Sequence, residues 1–205
     1  MLPKQPAPRV LLVIVNKNGH PHVYDCVRSV LNTDYRPFEV VFFDNASVDG
    51  SHLIVKEICG QNDNLLLLRS PRDIPLARAT NIAVDAASHK AQYIGFLDSD
   101  VVVTRGWLTA LVAVAESNPN IGACQSLLMR ADPPEMIDGT GDFVDFIGNA
   151  ISRHSGISMN KVDFSHLDDE IFSARSAAMI VRRDLYKRVG ELDESFAIGF
   201  EDVDL

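Results

Sequence analysis

Four short apolar runs, each followed by a polar break and a stretch of helical periodicity, fill the first 118 residues. Val10-Leu11-Leu12-Val13-Ile14-Val15 is unbroken and rich in branched side chains, the pattern of a strand covered on both faces. Asn16 to Pro21 interrupts it with turn formers, and Val23, Val27, Val30 and Leu31 then recur at helical spacing. Glu39 to Phe43 reads as a second strand ending at Asp44, and a polar loop leads on to a helix carrying Leu53, Val55 and Ile58. Leu65 to Leu68 gives a third strand, followed by a helix of small residues from Leu76 to Ala87, with Pro75 suited to its first turn. Tyr93 to Leu97 is a fourth strand that stops at Asp98-Ser99-Asp100, and Trp107 to Glu116 carries an apolar stripe.

This alternation specifies an α/β fold: a Rossmann-like, mostly parallel sheet flanked by helices. Ligands of such sheets bind beyond the carboxyl ends of the strands. Three polar clusters share that edge: Asn16 to Gly19, Asp44 to Ser47, and Asp98 to Asp100. After residue 118 the periodicity weakens. Ile121 to Leu128 and Ala177 to Val181 still read as strands, with a Gly- and Asp-rich stretch from Asp132 to Asp169 between them. With no repeat and no linker, a single domain over 1–205 is expected, its mixed C-terminal extension completing a site begun by the first half.

Composition narrows the ligand. Lys and Arg number 19 against 28 Asp and Glu, a net charge of −9. That balance argues against nucleic acid, whose binding needs a basic face. A nucleotide remains open, because one cation or a few local donors hold two phosphates. Cys26, Cys59 and Cys124 show no metal-ligand spacing, and three thiols close no disulfide framework, so they read as reduced side chains of a cytoplasmic protein. Met1 to Arg9 holds three prolines and no signal-peptide core, and the run Val10 to Val15 is too short to cross a bilayer.

Asp98 and Asp100 carry the clearest chemistry. Two residues apart on extended backbone, they would face one ligand together. Neighbouring carboxylates repel unless a cation intervenes, and Mg²⁺ or Mn²⁺ takes one or two of them together with phosphate oxygens. The plainer alternative is a solvated strand-to-helix turn in which one Asp caps the helix starting near Trp107. Phe96 to Val102 also fits the first motif of haloacid-dehalogenase-like phosphohydrolases, with Asp98 as nucleophile and Asp100 as acid/base. Against that reading, such a motif opens its domain, whereas three strand–helix units precede it here.

Laid in order, six segments resemble family 2 glycosyltransferases. They are Val15 to Gly19, Cys26 to Leu31, Phe43 to Ser51, Ala77 to Asn81, Phe96 to Asp100, and Phe200 to Leu205. The resemblance implies a GT-A fold with a nucleotide-binding half at about 9–118 and an acceptor-side half at about 119–205. It also implies a nucleotide-diphosphate-sugar donor, a divalent metal and inversion at the anomeric carbon. On this resemblance Asp44 reads the nucleobase, Val15, Asn16 and Asn18 line the same pocket, and Asp98 and Ser99 lie near the ribose. Arg78 faces the donor, Asp100 binds the metal, and Asp202 is the general base. Such roles suit inverting transfer, a single in-line displacement needing a base on the acceptor hydroxyl and charge neutralisation on the leaving diphosphate.

The implied acceptor is a glycan or lipid-linked hydroxyl, with a rhamnosyltransferase-like activity in polysaccharide synthesis as the subclass. Relatives that continue beyond the position of Leu205 make a truncated C-terminus the expectation, with peripheral association at the inner face of the membrane through the missing part. Ser70 to Pro75 departs from the family's glycine-containing stretch. A non-catalytic nucleotide-binding module is the remaining alternative. Simple structural roles are expected for Asn81 as a loop tie, Trp107 as a core anchor and Arg182-Arg183 as a strand end, with an exposed ion pair competing for Arg78. Gly139-Thr140-Gly141-Asp142 reads as a tight loop on the acceptor side.

Overall fold

A computed structural model describes residues 6–87, 89–166, 170–196 and 199–205. Residues 167–169 of the Gly- and Asp-rich stretch lie outside the described residues. The main strands are Val10–Asn16 (β1), Phe38–Asn45 (β2), Leu65–Ser70 (β3), Tyr93–Asp98 (β4) and Ala123–Gln125 (β5). Short strands follow at Leu128–Met129 (β6), Ile137–Gly139 (β7), Asp142–Val144 (β8) and Ala150–Ser152 (β9), and Ala178–Arg182 (β10) returns to the main sheet. Helices occupy Val23–Leu31 (α1), Ser51–Cys59 (α2), Leu76–Ala86 (α3), Trp107–Ser117 (α4), Arg183–Val189 (α5) and Glu201–Asp204 (α6).

The six-stranded sheet runs β3-β2-β1-β4-β10-β5. β1 to β4 are parallel, while β10 lies antiparallel to both β4 and β5. Alternate residues of the central strands feed two cores, as the pleat requires. Leu12, Ile14, Val40 and Phe42 meet Val23, Val27 and Val30 of α1, Val55 of α2 and Trp107, Leu108 and Leu111 of α4. Leu11, Val13, Val41 and Phe43 meet Ala77, Ala83 and Val84 of α3 and Tyr186 of α5. The alanines let α3 lie close on the sheet. Trp107 is thus the anchor its sequence position suggests.

Register decides where the site falls. Asn16 pairs with Asp44 and Val15 with Asp98, so β1, β2 and β4 end side by side.

Four local expectations change. The run Ile121 to Leu128 splits into β5 and β6, because the Ser126 amide bonds to the Ala178 carbonyl at 2.9 Å and the chain then leaves the sheet to pair β6 with β7. Pro75 stands just before α3 with extended backbone (ψ 145°) rather than within its first turn. After Asp98 the chain turns at once, the Val101 amide bonding to the Asp98 carbonyl at 3.3 Å, so extended backbone does not align Asp98 with Asp100. Nor does either Asp cap α4, which begins after Gly106 without a side-chain cap. The three cysteines are free, and no described helix is long and apolar enough to cross a membrane.

Candidate active site

The loops after β1 and β2 are sewn together before any ligand is considered. Asn16 is buried, and its Nδ2 donates to Ser51 Oγ (2.9 Å), Ser47 Oγ (3.1 Å) and Asp44 Oδ1 (3.4 Å). The Asn18 amide donates to Ser47 Oγ at 2.9 Å, and Asn18 Oδ1 accepts from the Val48 amide at 2.9 Å. Asn18 takes up a left-handed backbone (φ 55°), a conformation asparagine tolerates better than most residues. A Cβ on Gly19 would lie 2.3 Å from Asn16 Oδ1 and 3.2 Å from Ser99 Oγ, so only glycine permits the close meeting of these loops with the turn after β4.

Asp44 is fully buried. Its Oδ2 accepts from Arg69 Nε at 3.1 Å and from the Ser47 amide at 3.3 Å. Arg69 also donates to the Ser47 carbonyl at 3.0 Å and meets His52 Nε2 at 3.1 Å, leaving its side chain about half exposed. Burial of a carboxylate is tolerated here because a guanidinium and an amide satisfy it. A ligand over this corner would therefore meet the half-exposed Arg69, with Asp44 buried behind it and not itself open to contact.

A small cleft beside this corner, about 30 Å³ in volume, is lined mostly by apolar side chains, Val13, Val15, Leu76, Phe96 and Met179 among them, together with Thr80 of α3, Asp98 of β4, Ser176, and Glu201 and Asp202 of α6. Residues a hundred positions apart in sequence thus share one wall. Loss of water, then the charges of Asp100, Asp202 and Glu201, push the Asp98 carboxyl up to about 6, while Arg175 opposes the rise. Asp98 keeps an exposed edge, so solvent softens the effect, and its direction carries the meaning. Too many negative charges converge for the cations present. The buried Glu201 carboxyl is raised as well, chiefly by burial and also by Asp202. Asp202 Oδ2 accepts from the Ser176 amide at 3.0 Å, and Asp202 also borders a larger hollow of about 1040 Å³ between α4, β5 and α5.

Among the described residues no three His, Cys, Asp or Glu side chains form a ready-made cation cage. The crowded oxygens nonetheless fit a hard divalent ion that takes one or two carboxylates and completes its shell with water and phosphate oxygens. Asp98 and Asp100 are the residues available to it.

Other candidates lie elsewhere. Arg78 is half exposed, 3.9 Å from Glu194 Oε2, and does not line the cleft. Asn81 Nδ2 donates to the Leu192 carbonyl at 2.9 Å, and Tyr186 donates its hydroxyl proton to Asn81 Oδ1, so Asn81 is the loop tie expected. Arg182 sits at the amino end of β4, over the Tyr93 ring at 5.2 Å and bonded to the Ile121 and Ala115 carbonyls, away from the ligand edge. Sequence reading missed Arg69, Arg175 and Glu201. Only Arg69 carried a signal, as the charged residue directly ending a strand at the ligand edge.

Comparison with known proteins gives the family and the fold. The sequence model of Glycosyl transferase family 2 matches residues 11–190. Glycosyltransferase GlyG of Streptococcus pneumoniae is 26% identical over 102 residues, half of this chain and 33% of GlyG. EpsH of Bacillus subtilis is 21% identical over 194 residues, covering 82% of this chain and 56% of EpsH. The chain thus spans from a third to just over half the length of these relatives. In structure it resembles the mannosyltransferase PcManGT of Pyrobaculum calidifontis in complex with GDP-Man and Mn²⁺, with a TM-score of 0.68 and 18% identity over 97% of this chain and 51% of that one. GalNAc-T7 with UDP, GalNAc and Mn²⁺ gives a TM-score of 0.73 at 18% identity, covering 98% of this chain and 40% of that one. Both likenesses support the GT-A fold, and the family match overturns the phosphohydrolase alternative. The chain belongs to glycosyl transferase family 2.

Proposed function

We propose that this protein transfers a sugar, with inversion, from a nucleotide-diphosphate donor to a hydroxyl of a glycan or lipid-linked acceptor. One observation carries the reading: Asp98, at the carboxyl end of the sheet, and Asp202, from the far end of the chain, line a single cleft. The nucleoside would rest over Val15, Asn16, Asn18 and the Asp44–Arg69 pair, with Ser99 beside the ribose. Asp100 and Asp98 would hold Mn²⁺ or Mg²⁺, which supplies charge neutralisation for the departing diphosphate. Asp202 borders both the cleft and the larger hollow, which supports reading it as the base between donor and acceptor. It would take the acceptor proton as the new glycosidic bond forms, an effect worth about 10²–10⁴-fold. Arg78 would reach the donor only by leaving Glu194. Polysaccharide synthesis, with rhamnosyl transfer as a subclass, is the biological setting we favour.

Calorimetry with UDP, GDP and dTDP, with and without Mn²⁺, tests this. We expect one nucleotide to bind in a metal-dependent manner, with binding lost in Asp100→Ala and kept in Asp202→Asn, which loses transfer. Metal-independent binding, or transfer that survives in Asp202→Asn, would refute it. Binding indifferent to Asp202→Asn with no transfer by the unaltered protein would favour a non-catalytic nucleotide-binding module.

A further inference from the structure

Residues 173–177 belong to no helix and no named strand, yet they bond to the acidic residues of the cleft. The Ser176 amide donates to Asp202 Oδ2 at 3.0 Å, and Ser173 Oγ donates to the Asp202 carbonyl at 3.5 Å. The Ala177 carbonyl accepts from the Asp98 amide at 3.2 Å. Between these contacts stands Arg175. Its own amide donates to Gln125 Oε1 at 2.6 Å and its Nη1 to Asp138 Oδ2 at 2.8 Å. On the other side Nε lies 3.9 Å from Asp142 Oδ2. Asp142 is nine-tenths buried, its Oδ1 has no hydrogen-bond partner, and its backbone pairs with Ser173 in both directions, at 3.0 and 3.2 Å.

Backbone bonds pin the segment at Ser173 and Ala177, and between those ends the bonds made by Arg175 fix its course. A guanidinium two-thirds buried between two carboxylates is a directional anchor, because charge-assisted bonds are about twice as strong as neutral ones. The anchor lies one residue from the amide that orients Asp202. Small errors in such an orientation matter, since a misplacement of about 1 Å costs up to roughly 10²-fold in rate.

We propose that Arg175 is a positioning residue for Asp202: by tying segment 173–177 to Asp138 and Asp142, it holds the Ser176 amide where that amide aims the Asp202 carboxylate into the cleft. The inference rests on reading Asp202 as the base of a glycosyl transfer. Lysine keeps the charge but not the planar fork that spans two carboxylates, so it restores the role only in part.

The test measures nucleoside diphosphate released from UDP-glucose, UDP-N-acetylglucosamine, GDP-mannose and dTDP-rhamnose with Mn²⁺. For Arg175→Ala we expect kcat to fall about 10- to 100-fold, while donor KM and nucleotide affinity change only a few-fold through loss of its charge near Asp98. Arg175→Lys should recover part of the loss. Asp138→Asn should lower kcat in the same direction, non-additively with Arg175→Ala, and it carries the test if the arginine variant does not fold. An unchanged kcat, a loss confined to KM, or full recovery with lysine would overturn the positioning role and leave the proposed function standing. Failure of the unaltered protein to bind any nucleotide with Mn²⁺, or to release one from any donor, would overturn both.

Discussion

Asn16 ends a strand, lies buried, and bonds through one nitrogen to Ser47, Ser51 and Asp44. Its oxygen is buried without a protein partner, beside the backbone of Gly19. Removing the amide leaves Asp44 Oδ1 without its partner and takes one bond each from Ser47, which keeps the Asn18 amide, and Ser51; a buried group left unsatisfied costs about 1–3 kcal/mol. Asn16→Ala should therefore lower the melting temperature by about 2–12 °C, at roughly 2–4 °C per kcal/mol for a chain of this size. Calorimetric melting would show it, and an unchanged transition would mean the two loops are held by something else. Single residues were legible in the sequence to the extent that they stood in local patterns. Asp44 and Asp98 each end a recognisable apolar run, whereas Asp202 stands out only through the family resemblance of Phe200 to Leu205. Arg175 sits in Ser173-Ala174-Arg175-Ser176, where nothing local separates a surface cation from one clasped by residues about 35 positions away.

Elements obeyed the same distinction between local and distant causes. β1 to β4 and their helices follow from continuous apolar runs and 3.6-residue stripes, signals a short window contains. β5 to β9 are two or three residues each, and their pairing is set by partners across the fold, so periodicity had nothing to register. α3 and α5 show how tertiary ties finish what periodicity begins. Tyr186 is fully buried, its ring 5.7 Å from that of Phe96, and its hydroxyl bonds to Asn81 Oδ1, which also accepts from the Leu192 amide at 3.3 Å. Burial pushes the tyrosine hydroxyl's ionisation well above its usual range, so it remains a donor across ordinary pH. Tyr186→Phe keeps the ring and the second bond to Asn81, and should cost only about 1 kcal/mol, or roughly 2–4 °C. A loss several times larger would mean the hydroxyl holds α5 and the turn to Leu192 in place.

At the scale of the molecule, the net charge of −9 is not spread evenly, for Asp98, Asp100, Glu201 and Asp202 meet at one edge with Arg175 as the opposing cation felt at Asp98. Charge gathered this way works against the fold and in favour of a cation, a trade-off common at functional sites. Neutralising one member should then separate the two effects. In metal-free buffer Asp100→Asn should raise stability by about 0.5 kcal/mol, or roughly 1–2 °C, by relieving repulsion at Asp98. With Mn²⁺ and the matching nucleoside diphosphate at about a hundred times the dissociation constant, the unaltered protein should gain about 2.7 kcal/mol, or roughly 5–11 °C. Asp100→Asn should lose most of that gain. The two shifts run in opposite directions, so one pair of melting curves separates a ligand-binding carboxylate from one that merely caps a turn. Should the variant melt lower without metal and still respond fully to Mn²⁺ and nucleotide, Asp100 would be a structural residue and the cation would belong elsewhere in the cleft.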